Sequence, residues 1–238
     1  MGKNTPDAAA LKLMTGAKAR FKLLVWWIIS GTSQSQPLFV IRYSGKTLDN
    51  PFNRRMTMKR VLVPLADGCE ELEAVTITDI LTRAGASVIT AGLHAGPIKA
   101  SRGLTLVPDT TLAQVKDELF DLIVLPGGLP GAIHLAEDPI LHVMLQGQDL
   151  HNRSLAAICA APQALAIAGL LTNRTLTCYP GALDAFDCQW THTGAAVEVD
   201  RNLITGRGPG VALDFALELV AQLYGPEKRA QVAGELAI

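Results

Sequence analysis

The chain has 238 residues, 49% of them apolar, which suffices for a sizeable buried core and excludes wholesale disorder. The near-zero net charge conceals an asymmetry: nine Lys/Arg against two Asp before Met56 (net +7), then 12 basic against 20 acidic residues (net −8), so the larger, acidic part offers no electrostatic footprint for nucleic acid. The four cysteines (Cys69, Cys159, Cys178 and Cys188) form neither a CxxC pair nor a Cys/His metal spacing, which argues against a disulfide framework and for a reducing compartment, the cytoplasm.

Residues 1–55 read as an N-terminal extension. An apolar run from Leu23 to Ile29 follows basic residues and precedes small ones, as in a signal peptide. The run is shorter than the roughly 20 apolar residues a membrane helix needs, and no A-x-A site follows it. A disordered extension, upstream sequence read from a misplaced start, a cleaved targeting peptide and a functional arm are the readings open for it. A single α/β domain is expected over residues 56–238.

Val61–Leu65 is a short apolar run ended by Asp67-Gly68 and reads as a buried strand. Glu70 to Ala84 has helical spacing, with Gly85 as the stop. Ser87–Leu93 is a second strand, and Ile98–Pro108, with Gly103 inside, a hairpin. Leu119–Leu125 is a strand running into Pro126-Gly127-Gly128, and Pro139–Leu150 a helix. Leu155–Cys159 and Pro162–Gly169 form a strand and a helix; Thr175–Tyr179 is a further strand. Residues 196–199 and 202–205 pair across Asp200-Arg201, and Val211–Leu223 and Glu227–Leu236 close the chain as helices. Strands alternating with helices predict a doubly wound, mostly parallel sheet with helices on both faces. Ligands bind such folds outside the carboxyl ends of the strands.

At that edge Cys159 stands where a strand turns into a helix, flanked by Ala157, Ala160 and Ala161, with Pro162 at the first helical turn. The arrangement is the cysteine counterpart of a nucleophile elbow. A helix N-terminus favours thiolate, so a lowered thiol pKa is expected, and the backbone amides of the turn can hold an oxyanion. Cys178 and Cys188 lack such a turn and read as buried structural residues. Pro126-Gly127-Gly128 would let amides approach a reacting oxygen closely. Glu70, Glu71 and Glu73 crowd the start of one helix. Glu70 and Glu71 read as surface acids that complement its dipole, while Glu73 heads the stripe Ile77, Ile80 and Ala84, a register that Glu70 partly shares. A carboxyl on a buried face tends to hold its proton, and can then donate to a thiolate. The five histidines are scattered, and none is placed by sequence beside Cys159.

Taken together, Asp67-Gly68-Cys69-Glu70-Glu71-Leu72-Glu73, Leu125-Pro126-Gly127-Gly128, Ala157-Ile158-Cys159-Ala160-Ala161-Pro162 and Arg207-Gly208-Pro209-Gly210 resemble the ThiJ/PfpI superfamily, in the branch of the parkinsonism-associated protein deglycase (the DJ-one family) and bacterial YajL. The resemblance runs from about Met58 to the C-terminus. It implies a flavodoxin-like homodimer without a cofactor or metal, with Cys159 as nucleophile and Glu73 as the protonated glutamate. It places oxyanion amides on Gly128 and Ala160 and pocket residues at Gly127, Arg102, Tyr179 and Arg207. The implied chemistry is detoxification of small α-oxoaldehydes, or of glycated thiols and amines. The alternative is a redox-sensing chaperone in which oxidation of Cys159 is the functional event. Two departures bear on mechanism. Ala160 stands where members with protease-like activity have His, and Tyr179 where some branch members have His, which leaves Glu73 as the acid/base.

Overall fold

The computed structural model describes residues 58–187 and 189–238, together with an antiparallel ribbon of β1 (Arg42–Tyr43) and β2 (Lys46–Thr47). The chain divides into two units between Arg54 and Arg55. The apolar run Leu23–Ile29, the rest of the expected extension and Cys188 lie outside the described residues.

In the second unit, β3 (Arg60–Leu65), β4 (Ser87–Gly92), β7 (Thr110–Thr111), β8 (Leu122–Leu125), β9 (Ser154–Ile158), β12 (Val197–Asp200) and β13 (Leu203–Gly206) form one sheet. Their order is β12-β13-β9-β8-β3-β4-β7, and every pair is parallel except β12–β13. The continuous apolar runs read from the sequence are the mark of strands buried on both faces. Val61, Val63 and Leu65 of β3 and Ala156 and Ile158 of β9 pack with α1 (Glu71–Arg83), α6 (Ala212–Tyr224) and α7 (Pro226–Glu235). The alternate residues Leu62, Ile123, Leu125, Leu155 and Ala157 pack on the other face with α2 (Leu112–Val115), α4 (Pro139–Leu150) and α5 (Pro162–Ile167). This is the flavodoxin-like, doubly wound architecture.

The helix α4 begins on Pro139, with Asp138 capping the amide of Leu141 at 2.8 Å. The expected 98–108 hairpin is β5 (Ile98–Lys99) against β6 (Thr105–Leu106), turning at Gly103 with φ +105°. The expected 119–125 strand is shorter, because Leu119 is exposed and pairing begins at Leu122. The elements not expected include β7 and α2, α3 (Gly131–Glu137), and β11 (Trp190–His192), which pairs parallel with β10 (Arg174–Leu176). Among the described residues no helix is long and apolar enough to cross a membrane.

After β3 the chain moves outward to β4 and β7, then returns to lay β8 on the other side of β3. The order therefore reverses between β3 and β8. The carboxyl ends of these strands and of β9 meet there, where doubly wound sheets hold their ligands.

Candidate active site

Cys159 follows β9 directly and takes φ +62°, a left-handed conformation that a residue with a side chain adopts only when its surroundings enforce it. Both its backbone groups are held. Its N–H donates to the Gly206 carbonyl at 2.9 Å, and its carbonyl accepts from the Tyr179 N–H at 2.8 Å. The side chain is thereby turned out of the sheet, yet the residue is only 8% exposed.

Glu73 comes from the first turn of α1 and is fully buried. Its Oε2 accepts the Gly127 N–H at 2.7 Å, while Oε1 has no partner among the described residues. The carboxyl also meets the Cys159 thiol. Burial pushes the carboxyl up to about 7, against the Gly127 and Cys159 hydrogen bonds, which favour its ionised form. A carboxyl in this range exchanges its proton near neutral pH, as a general acid/base should.

The expected lowering of the thiol pKa does not follow from this environment. Burial first, and then the charge of Glu73, push the Cys159 thiol up to about 12, outweighing the lowering influence of the nearby Gly128 and Ala160 amides. The physical reason is that two ionisable groups share one buried pocket, and a second negative charge there costs more than two amides return. Thiol and carboxyl therefore act as a pair that carries one proton at neutral to moderately alkaline pH.

The Pro126-Gly127-Gly128 turn brings the Gly127 and Gly128 amides close to Glu73 and Cys159 because neither glycine leaves room for a side chain. A Cβ on Gly127 would lie 2.7 Å from Cys159 Cβ and 2.9 Å from Glu73 Oε2. Gly128 has φ +90°, and a Cβ there would lie 2.3 Å from the Glu70 nitrogen. The Glu70 N–H donates to the Gly127 carbonyl at 2.9 Å, tying the start of α1 to the same turn.

Glu70 and Glu71 are not simple surface acids. Glu70 is 8% exposed and accepts the Ser101 hydroxyl at 3.0 Å. Glu71 accepts the backbone N–H groups of Arg102 and Leu104 at 3.0–3.2 Å. The two carboxylates fasten the β5–β6 turn onto the head of α1, so Ser101 is a structural residue that sequence reasoning missed. Arg102 reaches Glu70, with Nε 3.7 Å from Oε2, and its side chain is largely exposed. Arg207 is also exposed and donates to the Gly194 carbonyl at 3.1 Å. Of the predicted pocket residues, Gly127, Gly128, Ala160 and Tyr179 touch Cys159 or its backbone; Arg102 and Arg207 hydrogen-bond elsewhere. Each histidine has another partner: His94 lies on Asp67 and Ala95, His134 on Asp67, His142 on Ala136, His151 on Gly147 and His192 on Cys178.

Comparison with known proteins bears on the family and the fold. The solved structure of Drosophila melanogaster DJ-1beta superposes with a TM-score of 0.74 at 41% identity, covering 76% of this chain and 99% of that one. "Protein DJ-1 homolog B" of Arabidopsis thaliana is 39% identical over 208 residues, 82% of this chain; the chain spans about half (47%) of that relative's length. The Caenorhabditis elegans protein named "Glutathione-independent glyoxalase DJR-1.2" is 37% identical over 169 residues, 71% of this chain and 89% of that protein. The family model described as DJ-1/PfpI matches residues 59–222, and the chain belongs to that family.

Proposed function

We propose that the protein is a cofactor-free, cysteine-dependent enzyme that detoxifies small α-oxoaldehydes or their adducts with thiols and amines. The observation that carries this reading is the buried Glu73 carboxyl, held near neutral pKa against a thiol that faces two backbone amides. The Cys159 sulfur bonds to the aldehyde carbon while its proton passes to Glu73, and the Gly128 and Ala160 amides stabilise the oxygen as charge develops on it. Glu73 returns that proton to the oxygen, completing the hemithioacetal, and is free to carry the proton on the former aldehyde carbon to the neighbouring carbon, while the hydroxyl proton passes from the first oxygen to the second. That step oxidises the first carbon to a thioester and reduces the second to an alcohol. Water hydrolyses the thioester, releasing a hydroxy acid and restoring the thiol, so no external oxidant or reductant is consumed. A relative named as a glutathione-independent glyoxalase supports this class of chemistry.

Lactate production from methylglyoxal by the wild type and by Cys159→Ala tests the proposal. Turnover by the wild type and its loss in the variant are expected; equal rates would end it. The same amides could hold the oxygens of a cysteine sulfinate, which favours a redox-sensing chaperone as the second reading. Holdase activity that appears only after peroxide, in protein with no aldehyde turnover, would select that reading. Cys69, Cys159 and Cys178 are free and buried, which suits a reducing compartment such as the cytoplasm. Exposed Leu72 and Val75 on α1, beside exposed Leu104, offer an apolar surface suited to the expected homodimer.

A further inference from the structure

We infer that Tyr179 determines specificity, as an aromatic platform beside Cys159 that favours α-oxoaldehydes bearing a planar aromatic group over those bearing a methyl. The inference rests on the reading of Cys159 as the aldehyde-accepting thiol and adds a substrate class to it.

Two chain segments flank Cys159 and hold its backbone. One is the end of β13, whose Gly206 carbonyl accepts the Cys159 N–H; the other follows β10, where the Tyr179 N–H donates to the Cys159 carbonyl. The Tyr179 ring reaches from the second segment to the first. A Cβ on Gly208 would lie 3.3 Å from Tyr179 Cδ2 and 3.9 Å from Cε2, so the edge of the ring rests over a bare α-carbon two residues past Gly206. The backbone of Gly208 is extended, with φ 170°, a conformation open to any residue. What the missing side chain provides is therefore room for the ring rather than backbone freedom.

Pro180 restricts the backbone of Tyr179 to extended conformations, which further fixes where the ring points. The residue nevertheless remains 53% exposed. An aromatic ring seated on one edge, on a residue whose backbone N–H is bonded to the nucleophile's own carbonyl, and open to solvent is a surface on which a flat ligand group can stack. The contribution is to binding.

The hydroxy-acid products make unreactive probes. Mandelate, the product of an aromatic oxoaldehyde, and lactate, the product of methylglyoxal, are titrated for protection of Cys159 against iodoacetamide. The wild type and Tyr179→Phe should be protected by mandelate at about tenfold lower concentration than by lactate, the scale of an added aromatic contact. In Tyr179→Leu the ratio should fall towards one. Gly208→Ala, whose Cβ displaces the ring by a few tenths of an ångström without straining the backbone, should lower it partway. Equal protection by the two acids in the wild type, a ratio unchanged in Tyr179→Leu, or a ratio lost in Tyr179→Phe would each overturn the inference. Lactate formation from methylglyoxal, followed on the same samples, separates the two levels. A wild type that makes no lactate but keeps a ring-dependent preference for mandelate refutes the enzymatic reading and leaves the platform standing.

Discussion

Cys159 and Cys178 occupy similar positions and differ in everything that makes a thiol reactive. Both follow strands, β9 of the seven-stranded sheet and β10 of the two-stranded one, both are more than 90% buried, and burial is the first cause of the raised pKa in each, about 12 and about 11. Cys178 has a distant weak partner, its N–H reaching His192 Nε2 at 3.4 Å, and, among the described residues, the charge of Asp184 as the further influence on its thiol. Cys159 has a left-handed backbone, the Gly128 and Ala160 amides near its thiol and a carboxyl poised near pH 7. Position at a strand end and burial do not make a nucleophile. A neighbour able to take the proton, with donors able to hold the charge that develops, does.

The sharpest way to break this comparison is to exchange the two residues' fates. Cys159→Ser should lose at least about 10³ in methylglyoxal turnover, the scale of removing a covalent nucleophile, while Cys178→Ser should stay within a few-fold of wild type. Comparable losses in both would mean that the distinction drawn from their neighbours is wrong.

Two glycines sharpen it through packing. Gly127→Ala drives a methyl group into the space between Cys159 and Glu73, with neighbours at 2.7 and 2.9 Å. It should destabilise the fold by about 1–3 kcal/mol and lower turnover further than that loss of folded protein explains. Gly147, inside α4 with nothing within 4 Å of an added Cβ, should respond oppositely. Gly147→Ala should gain about 0.5–1 kcal/mol and leave turnover alone. Thermal melts with paired rate measurements check both.

Stability against pH reports on the buried carboxyl itself. Glu73 holds its proton more tightly in the folded protein (about 7) than its ordinary value of 4.5 allows in the unfolded chain. Its contribution is therefore fully present below about pH 4.5 and is lost as pH rises through 7. Glu73→Gln, which cannot ionise, should gain on the wild type over that window by about 2–4 kcal/mol. Denaturant melts at pH 5 and pH 8 measure the difference; a gap that does not widen with pH would show that Glu73 is not the buried, proton-holding group described. The smallest effect expected is from removing residues 1–57, the extension 1–55 and the two residues after it. A chain beginning at Met58 should melt within a few degrees of the full-length protein and turn over methylglyoxal alike, and failure to fold would contradict a domain expected to begin at residue 56.

Much of this was legible in the sequence because the signals were local. The doubly buried strands β3, β8 and β9 read as apolar runs, α4 announced itself through Pro139, and the β12–β13 hairpin through Asp200-Arg201, where Arg201 takes φ +58°. The elements missed depend on distant partners. The strand β11 exists by pairing with β10 across 16 residues, and β7 by pairing with two residues of β4. Distance also explains the site's surprises. Glu70 and Glu71 looked like solvated acids because the hairpin turn that covers them lies about 30 residues on. The raised thiol pKa was invisible for the same reason: Cys159 and Glu73 lie 86 residues apart, and sequence spacing cannot weigh a helix terminus against a buried carboxylate that only the fold brings into contact.

The central claim is that Glu73 moves the proton for Cys159. The direct measurement is kcat/KM for methylglyoxal against pH, with the thiol pKa read from thiolate absorbance, in the wild type and Glu73→Gln. The wild-type profile should rise through about pH 7 as the carboxyl gives up its proton. In Glu73→Gln the thiol pKa should fall, because a negative charge beside the sulfur is gone, yet turnover should drop about 10²–10⁴-fold and lose the inflection near pH 7. More thiolate with less catalysis is the signature of a lost proton carrier. A wild-type profile flat from pH 6 to 8, or near-normal turnover in Glu73→Gln, would contradict the claim and move the proton transfer to another group.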